Sequence, residues 1–102
     1  MAKGYWIVRM DVTDPEIYGK YVAANAEPFA RYGARFLVRG GSFEAPEGTA
    51  RSRNVVIEFD SYETALACFH DEAYQAAKAI RDPVATGEVV IISGYEGPQP
   101  GA

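Results

Sequence analysis

Arg9, Arg39 and Glu58 alternate with apolar residues in runs that read as β-strands, so all three should project from the face that also carries Tyr5, Ile7, Leu37 and Val56. Two guanidinium forks and a carboxylate on one face could grip a carboxylate or enolate, with Glu58 as base or orienting group. The plainer reading is a structural ion pair at an interface, because a charge on a covered face costs several kcal/mol unless it is paired or solvated. Arg9 and Glu58 are expected on neighbouring strands and are therefore the expected partners. Asn54, on the same face of its strand, and Tyr21, on a helical face able to line a cleft, complete the candidate ligand-binding set.

His70, the single histidine, could serve as a general base or a haem ligand. Its place at a helix break beside Asp71 reads more simply as a cation near free helix carbonyls. Cys68 has no neighbouring base, and beside Phe69 it reads as an inert core thiol. Gly40 and Gly41 lack the Lys-Ser/Thr of a phosphate loop, so their role is conformational. No Ser-His-Asp arrangement or nucleophile elbow is legible. One Cys and one His exclude a disulfide framework and a zinc site needing several such ligands. The expectation is a cytoplasmic protein with no metal and no cofactor.

The elements that hold these residues follow from periodicity. Residues 4–11 are aromatic and β-branched and read as a strand. Asp14-Pro15 opens a helix to Tyr32 with Tyr18, Tyr21, Val22 and Phe29 on one face, and Gly33 ends it. Residues 34–45 read as a second strand with a bulge at Gly40-Gly41, and residues 51–59 return as a third, making a long hairpin. Asp60 and Glu63 match a capping box for a second helix that breaks and restarts near Asp71 and stops at Asp82-Pro83. Residues 87–95 form the last strand.

The order strand, helix, strand, strand, helix, strand packs most simply as a ferredoxin-like α+β fold: a four-stranded antiparallel sheet with two helices on one face. At 102 residues the chain holds one domain, residues 1–97, with 98–102 as a flexible tail. The opening residues lead straight into a strand and no apolar run approaches a membrane span, so neither a signal peptide nor a membrane partner is expected.

Trp6, Val8, Met10, Phe36, Val38, Val55, Ile57, Phe59, Val90 and Ile92 form the more uniformly apolar list and should lie under the helices. The opposite list still contains seven apolar or aromatic residues: Tyr5, Ile7, Leu37, Val56, Val89, Ile91 and Tyr95. Left in water they would make a patch of roughly 400 Å² or more, at the upper end for soluble monomers. Single-stranded nucleic acid stacked on aromatic rings is one covering. Asn54 and Val56 stand where its stacking rings would be, and the net charge is −4, so nucleic acid is not the expected partner. A second copy of the chain is.

The runs Phe36-Leu37-Val38-Arg39-Gly40-Gly41, Asn54-Val55-Val56-Ile57-Glu58-Phe59 and Glu72-Ala73-Tyr74-Gln75, with Arg81, resemble domain of unknown function 1330 in the dimeric α+β barrel superfamily. The resemblance implies a protomer whose sheet packs face to face with a second copy, and a cleft between sheet and helices. The superfamily includes cofactor-free monooxygenases, haem-degrading enzymes and isomerases. The expected function is binding of a small organic carboxylate or carbonyl compound by a homodimer. A cofactor-independent enzyme comes second and a purely structural or regulatory dimer third, with Glu58 and His70 as candidate catalytic groups.

Overall fold

The computed structural model describes residues 2–101. In chain order it contains β1 (Gly4–Val12), α1 (Pro15–Arg31), β2 (Arg35–Arg39), β3 (Arg53–Phe59), α2 (Tyr62–His70), α3 (Glu72–Arg81) and β4 (Ala85–Ser93). The strands form one antiparallel sheet in the order β2-β3-β1-β4. All three helices send side chains into the core on the face that bears Trp6, Ile57 and Phe59.

Local chemistry sets the helix ends. Asp14 Oδ1 accepts from the N–H groups of Glu16 and Ile17 at 3.1 and 3.2 Å, so the first turn of α1 has its orphan donors satisfied. Gly33 adopts φ +69°, the left-handed conformation that turns the chain away after the helix. The capping box expected at Asp60 and Glu63 does not form. Ser61 caps α2 instead, its hydroxyl accepting from Thr64 N–H at 3.1 Å, while Asp60 is engaged by Arg35. The second helical segment is two helices, because Asp71 turns extended between them and caps α3 through Ala73 N–H at 2.8 Å.

Trp6 anchors the core. It is fully buried, its ring centroid lies 5.3 Å from Phe29, 5.4 Å from Phe59 and 4.9 Å from Tyr74, and its Nε1–H donates to Ala65 O at 2.9 Å. A ring of this size, satisfied at its one polar atom, contributes about 3–5 kcal/mol over alanine.

The sheet departs from expectation in two places that matter for the site. β2 ends at Arg39 rather than running to residue 45, and the irregularity falls between Phe36 and Val38, not at the glycines. Phe36 stands opposite Ile57, Val38 opposite Val56 and Arg39 opposite Val55. The extra residue, Leu37, therefore moves Val38 to the helix-free face and Arg39 to the helix side, the reverse of strict alternation. Gly40, at φ +66°, then leads the chain out of the strand into a connection over residues 40–52. In β4 the faces are also exchanged. Trp6 stands opposite Ile91 and Val8 opposite Val89, so Val89 and Ile91 pack on the core while Val90 and Ile92 are 49% and 47% exposed. Both pairs are apolar, so composition could not choose. The register continues from Thr13 N–H to Val84 O at 2.8 Å.

Candidate ligand cleft

Helix α1 crosses the inner face of β1, β3 and β2 and leaves a narrow cleft against the sheet. Tyr18, Tyr21 and Asn25 line it from the helix, and Arg39, Arg53 and Val55 line it from the sheet. The free space is about 20 Å³, room for about one water molecule.

Its polar groups are only partly satisfied among the described residues. Asn25 is only 5% exposed and lines the cleft from the middle of α1. Arg53 Nε is buried and has no hydrogen-bond partner among the described residues, while its guanidinium lies 5.4 Å from the Tyr18 ring centroid. Arg39 stacks 4.0 Å over Phe36 and is exposed at the cleft mouth. A buried donor left unpaired costs free energy, so Arg53 Nε, with Asn25 and the exposed Arg39 guanidinium beside it on an aromatic-walled cleft, is a group that a ligand oxygen would satisfy.

Behind the cleft wall, Tyr21 Oη lies 2.9 Å from Tyr74 Oη, and Arg81 Nη2 lies 3.5 Å from the same Tyr74 oxygen. Burial is the first cause that raises the Tyr74 phenol far above its ordinary range, so Tyr74 is a neutral hydrogen-bonding group near neutral pH.

The other candidates lie elsewhere. Arg9 and Glu58 are not partners: Arg9 stands opposite Asn54, four positions along β3 from Glu58, about 13 Å away. Arg9 Nη1 is 3.6 Å from Glu88 and its Nη2 donates to Thr49 O at 3.3 Å. Glu58 accepts from Arg35 Nε at 2.9 Å and from Tyr5 Oη at 3.0 Å. The Arg35 guanidinium, then the Tyr5 hydroxyl, hold the Glu58 carboxyl below its ordinary value. Asn54 donates to Arg51 O at 3.1 Å beside that same outer face. His70 is exposed at the end of α2 with its ring edge-on to Phe69. Burial pushes the Cys68 thiol up to about 12, so it is protonated and inert. Of the residues expected to bind a ligand, only Tyr21 and Arg39 share the cleft.

Asn25 and Arg53 were missed by the sequence reading, although both carried a signal. Asn25 is four residues from Tyr21 and four from Phe29, a polar residue in the middle of the apolar stripe of α1. Arg53 is in phase with the buried Val55 and Ile57.

The outer face separates into a band and two charged ends. Ile7, Val38, Val90 and Ile92 are 39–49% exposed; Val38 and Ile7 flank the half-buried Val56, and Val90 extends the row beyond Ile7 on β4. At one end Arg51 bonds Asp11 at 2.8 Å and Glu88 at 2.6 Å; at the other, Arg35 bonds Glu58 and Asp60. Among the described residues no group of three metal-binding side chains occurs, and no helix is long and apolar enough to cross a membrane.

A four-stranded antiparallel sheet with helices on its aromatic face places the chain among small ferredoxin-like α+β proteins. It belongs to the family described as Domain of unknown function (DUF1330), whose family model matches residues 3–95. No curated protein matches it. Among solved structures, a protein of unknown function from Rhodopseudomonas palustris superposes with TM-score 0.70 at 15% identity, covering 97% of this chain and 85% of that one. SnoaB, a cofactor-independent oxygenase from Streptomyces nogalater, gives TM-score 0.67 at 13% identity over 95% and 97% of the two chains. A dimeric ferredoxin-like protein of unknown function from Thermobifida fusca gives 0.58 at 17% over 90% and 89%. At these identities the likeness is one of fold.

Proposed function

We propose that the protein is a homodimer joined through its helix-free sheet face, and that each protomer binds a small organic carboxylate or carbonyl compound in the cleft beneath α1. The observation that carries the binding site is Arg53 Nε: a buried donor without a partner among the described residues, set among aromatic rings beside Arg39 and Asn25. Such a group is costly unless something hydrogen-bonds to it. Arg39 and Arg53 supply positive charge on the sheet wall of the cleft, which selects an anionic or strongly polarised oxygen. The small free volume requires the mouth to open, and Arg39, stacked only on Phe36 at the surface, is the side chain placed to swing out.

Binding ranks ahead of catalysis because neither a carboxylate nor a histidine lines the cleft among the described residues. A proton-abstracting enzyme needs such a base within reach of its substrate. SnoaB, which shares the fold, is a cofactor-independent oxygenase, and that makes an oxygenase the second reading.

Calorimetric titration with benzoate, salicylate and phenylpyruvate tests the site. The expected result is millimolar or tighter binding that weakens about tenfold in Arg39→Met and is unchanged in Arg9→Met. Absence of binding for all three, or equal losses in the two variants, would overturn it.

A further inference from the structure

The arginines divide into two groups. Five of the seven, Arg9, Arg31, Arg35, Arg51 and Arg81, lie 2.6–3.6 Å from a carboxylate oxygen. Arg39 and Arg53 have no carboxylate partner among the described residues, although the net charge of the chain is −4. These two exceptions share one wall of one cleft. Arg39 stands opposite Val55, and Arg53 lies two residues from Val55 on the same side of β3, about 7 Å along the strand.

Their depths differ. Arg39 is exposed at the mouth over Phe36, whereas Arg53 Nε is buried without a hydrogen-bond partner among the described residues. Gly40 leaves room for the inner guanidinium, since a Cβ there would stand 3.1 Å from Arg53 Nη1. The group that faces Arg53 is the Tyr18 phenol, which burial above all raises from its ordinary value, so it is neutral near neutral pH and offsets no charge. Both arginines project to the helix side, so a second copy packed on the outer face does not cover them.

Two like charges in a partly desolvated cleft repel each other, and one carboxylate would leave one of them unanswered. We infer that the cleft selects a dicarboxylate, with one head on Arg53 inside, the other on Arg39 at the mouth, and a flat body against the rings of Tyr18 and Phe36. A planar guanidinium matches a carboxylate through two N–H donors, and here each head has its own. The inference rests on the cleft being the binding site, and it names what that site selects. Placing the second head at the mouth also limits how far the cleft has to open.

Calorimetric titration at neutral pH compares benzoate with phthalate, isophthalate and terephthalate, which keep its ring and add a second carboxylate at three spacings. At least one diacid is expected to bind about tenfold tighter than benzoate, and to lose that advantage in Arg39→Met and in Arg53→Met. Arg9→Met removes the same charge away from the cleft and should preserve it. Arg39 is exposed, so its variant keeps the fold and carries the test if Arg53→Met does not fold. Benzoate binding as tightly as all three diacids, or an advantage that survives Arg39→Met, overturns the dicarboxylate and leaves the cleft reading standing. Phenyl phosphate, with two charges on one head, should bind more weakly than the best diacid; tighter binding overturns the two-headed placement. Failure of benzoate and of every diacid to bind overturns the cleft reading itself.

Discussion

Arg35 and Glu58 face each other across the β2–β3 ladder, with Nε 2.9 Å from Oε1, and Tyr5 from β1 closes on the same carboxylate at 3.0 Å. Glu58 thus ties three strands at one end of the sheet, while Arg9 belongs to a separate cluster with Glu88 and Arg51 at the other. In thermal-melt double-mutant cycles, Glu58→Gln and Arg35→Met should be non-additive by about 1–2 °C, the modest size expected for a solvent-screened pair. Glu58→Gln and Arg9→Met should be additive. Coupling of Glu58 to Arg9 instead would contradict the strand register.

Acid should unfold the protein through a small set of carboxylates. Arg31, then the Tyr32 hydroxyl and the Ala73 N–H, hold Asp71 far below the ordinary carboxylate range. Ser52 N–H followed by Arg51 lowers Asp11, and Arg51 lowers Glu88. Each folded-state value lies below its unfolded counterpart, so the folded protein binds fewer protons than the unfolded chain on the acid side. Their contribution is complete above the unfolded carboxylate range and is lost as pH falls through the lower folded values. The melting temperature should be level above about pH 5 and decline progressively below it. Asp71→Asn should lower the melting temperature at neutral pH by about 5 °C, through a weakened cap and a lost ion pair, and flatten the acid limb. A variant with an acid limb as steep as the unmodified protein's would show that the load lies on other carboxylates.

Asn25 sets stability against binding. Leu in place of the 5%-exposed Asn25 would extend the apolar stripe of α1 between Tyr21 and Phe29 and take a polar side chain out of the core. Asn25→Leu should therefore raise stability by about 1 kcal/mol in denaturant unfolding while weakening benzoate binding in calorimetry. Destabilisation by a similar amount would mean that the amide is satisfied within the folded protein.

The helices, the strand order and the break at Asp71 were legible because each is specified locally: Asp14-Pro15 opens α1, Gly33 closes it, and an aromatic stripe marks its buried face. The site was less legible because it depends on parity. Leu37 adds one residue to β2, and that single insertion carries Arg39 from the outer face to the cleft and Val38 the opposite way. Nothing in the types of Phe36, Leu37 and Val38 says which of them is extra. The same ambiguity reversed β4, where four consecutive apolar residues from Val89 to Ile92 satisfy either alternation. Arg9 and Glu58 were misjudged as a pair for a related reason: strand adjacency follows from topology, whereas the residue opposite Glu58 follows from register, and register places Tyr5 and Arg35 there.

The outer face provides the sharpest test of assembly. Ile7, Val38, Val90 and Ile92 are each more than a third exposed, they form a band across the sheet with Val56 between Val38 and Ile7, and no layer among the described residues covers them. The charges on that side are gathered at the two ends, where Arg51 holds Asp11 and Glu88 and Arg35 holds Glu58 and Asp60. A two-fold axis through the band sets one apolar patch on the other and leaves the paired charges at the rim, where water still reaches them. If each protomer buries about 800 Å², the interface reaches the size of a stable complex. Val56→Lys places an ammonium group in that band, and desolvating it against a second copy should raise the dimer dissociation constant by at least about a hundredfold. Because Val56 faces away from the helices, the variant monomer should keep its fold. Light scattering at micromolar concentration should report twice the monomer mass for the unmodified protein and the monomer mass for Val56→Lys, with unchanged far-UV circular dichroism. A monomeric unmodified protein, or a dimer indifferent to Val56→Lys, would remove this face as the interface.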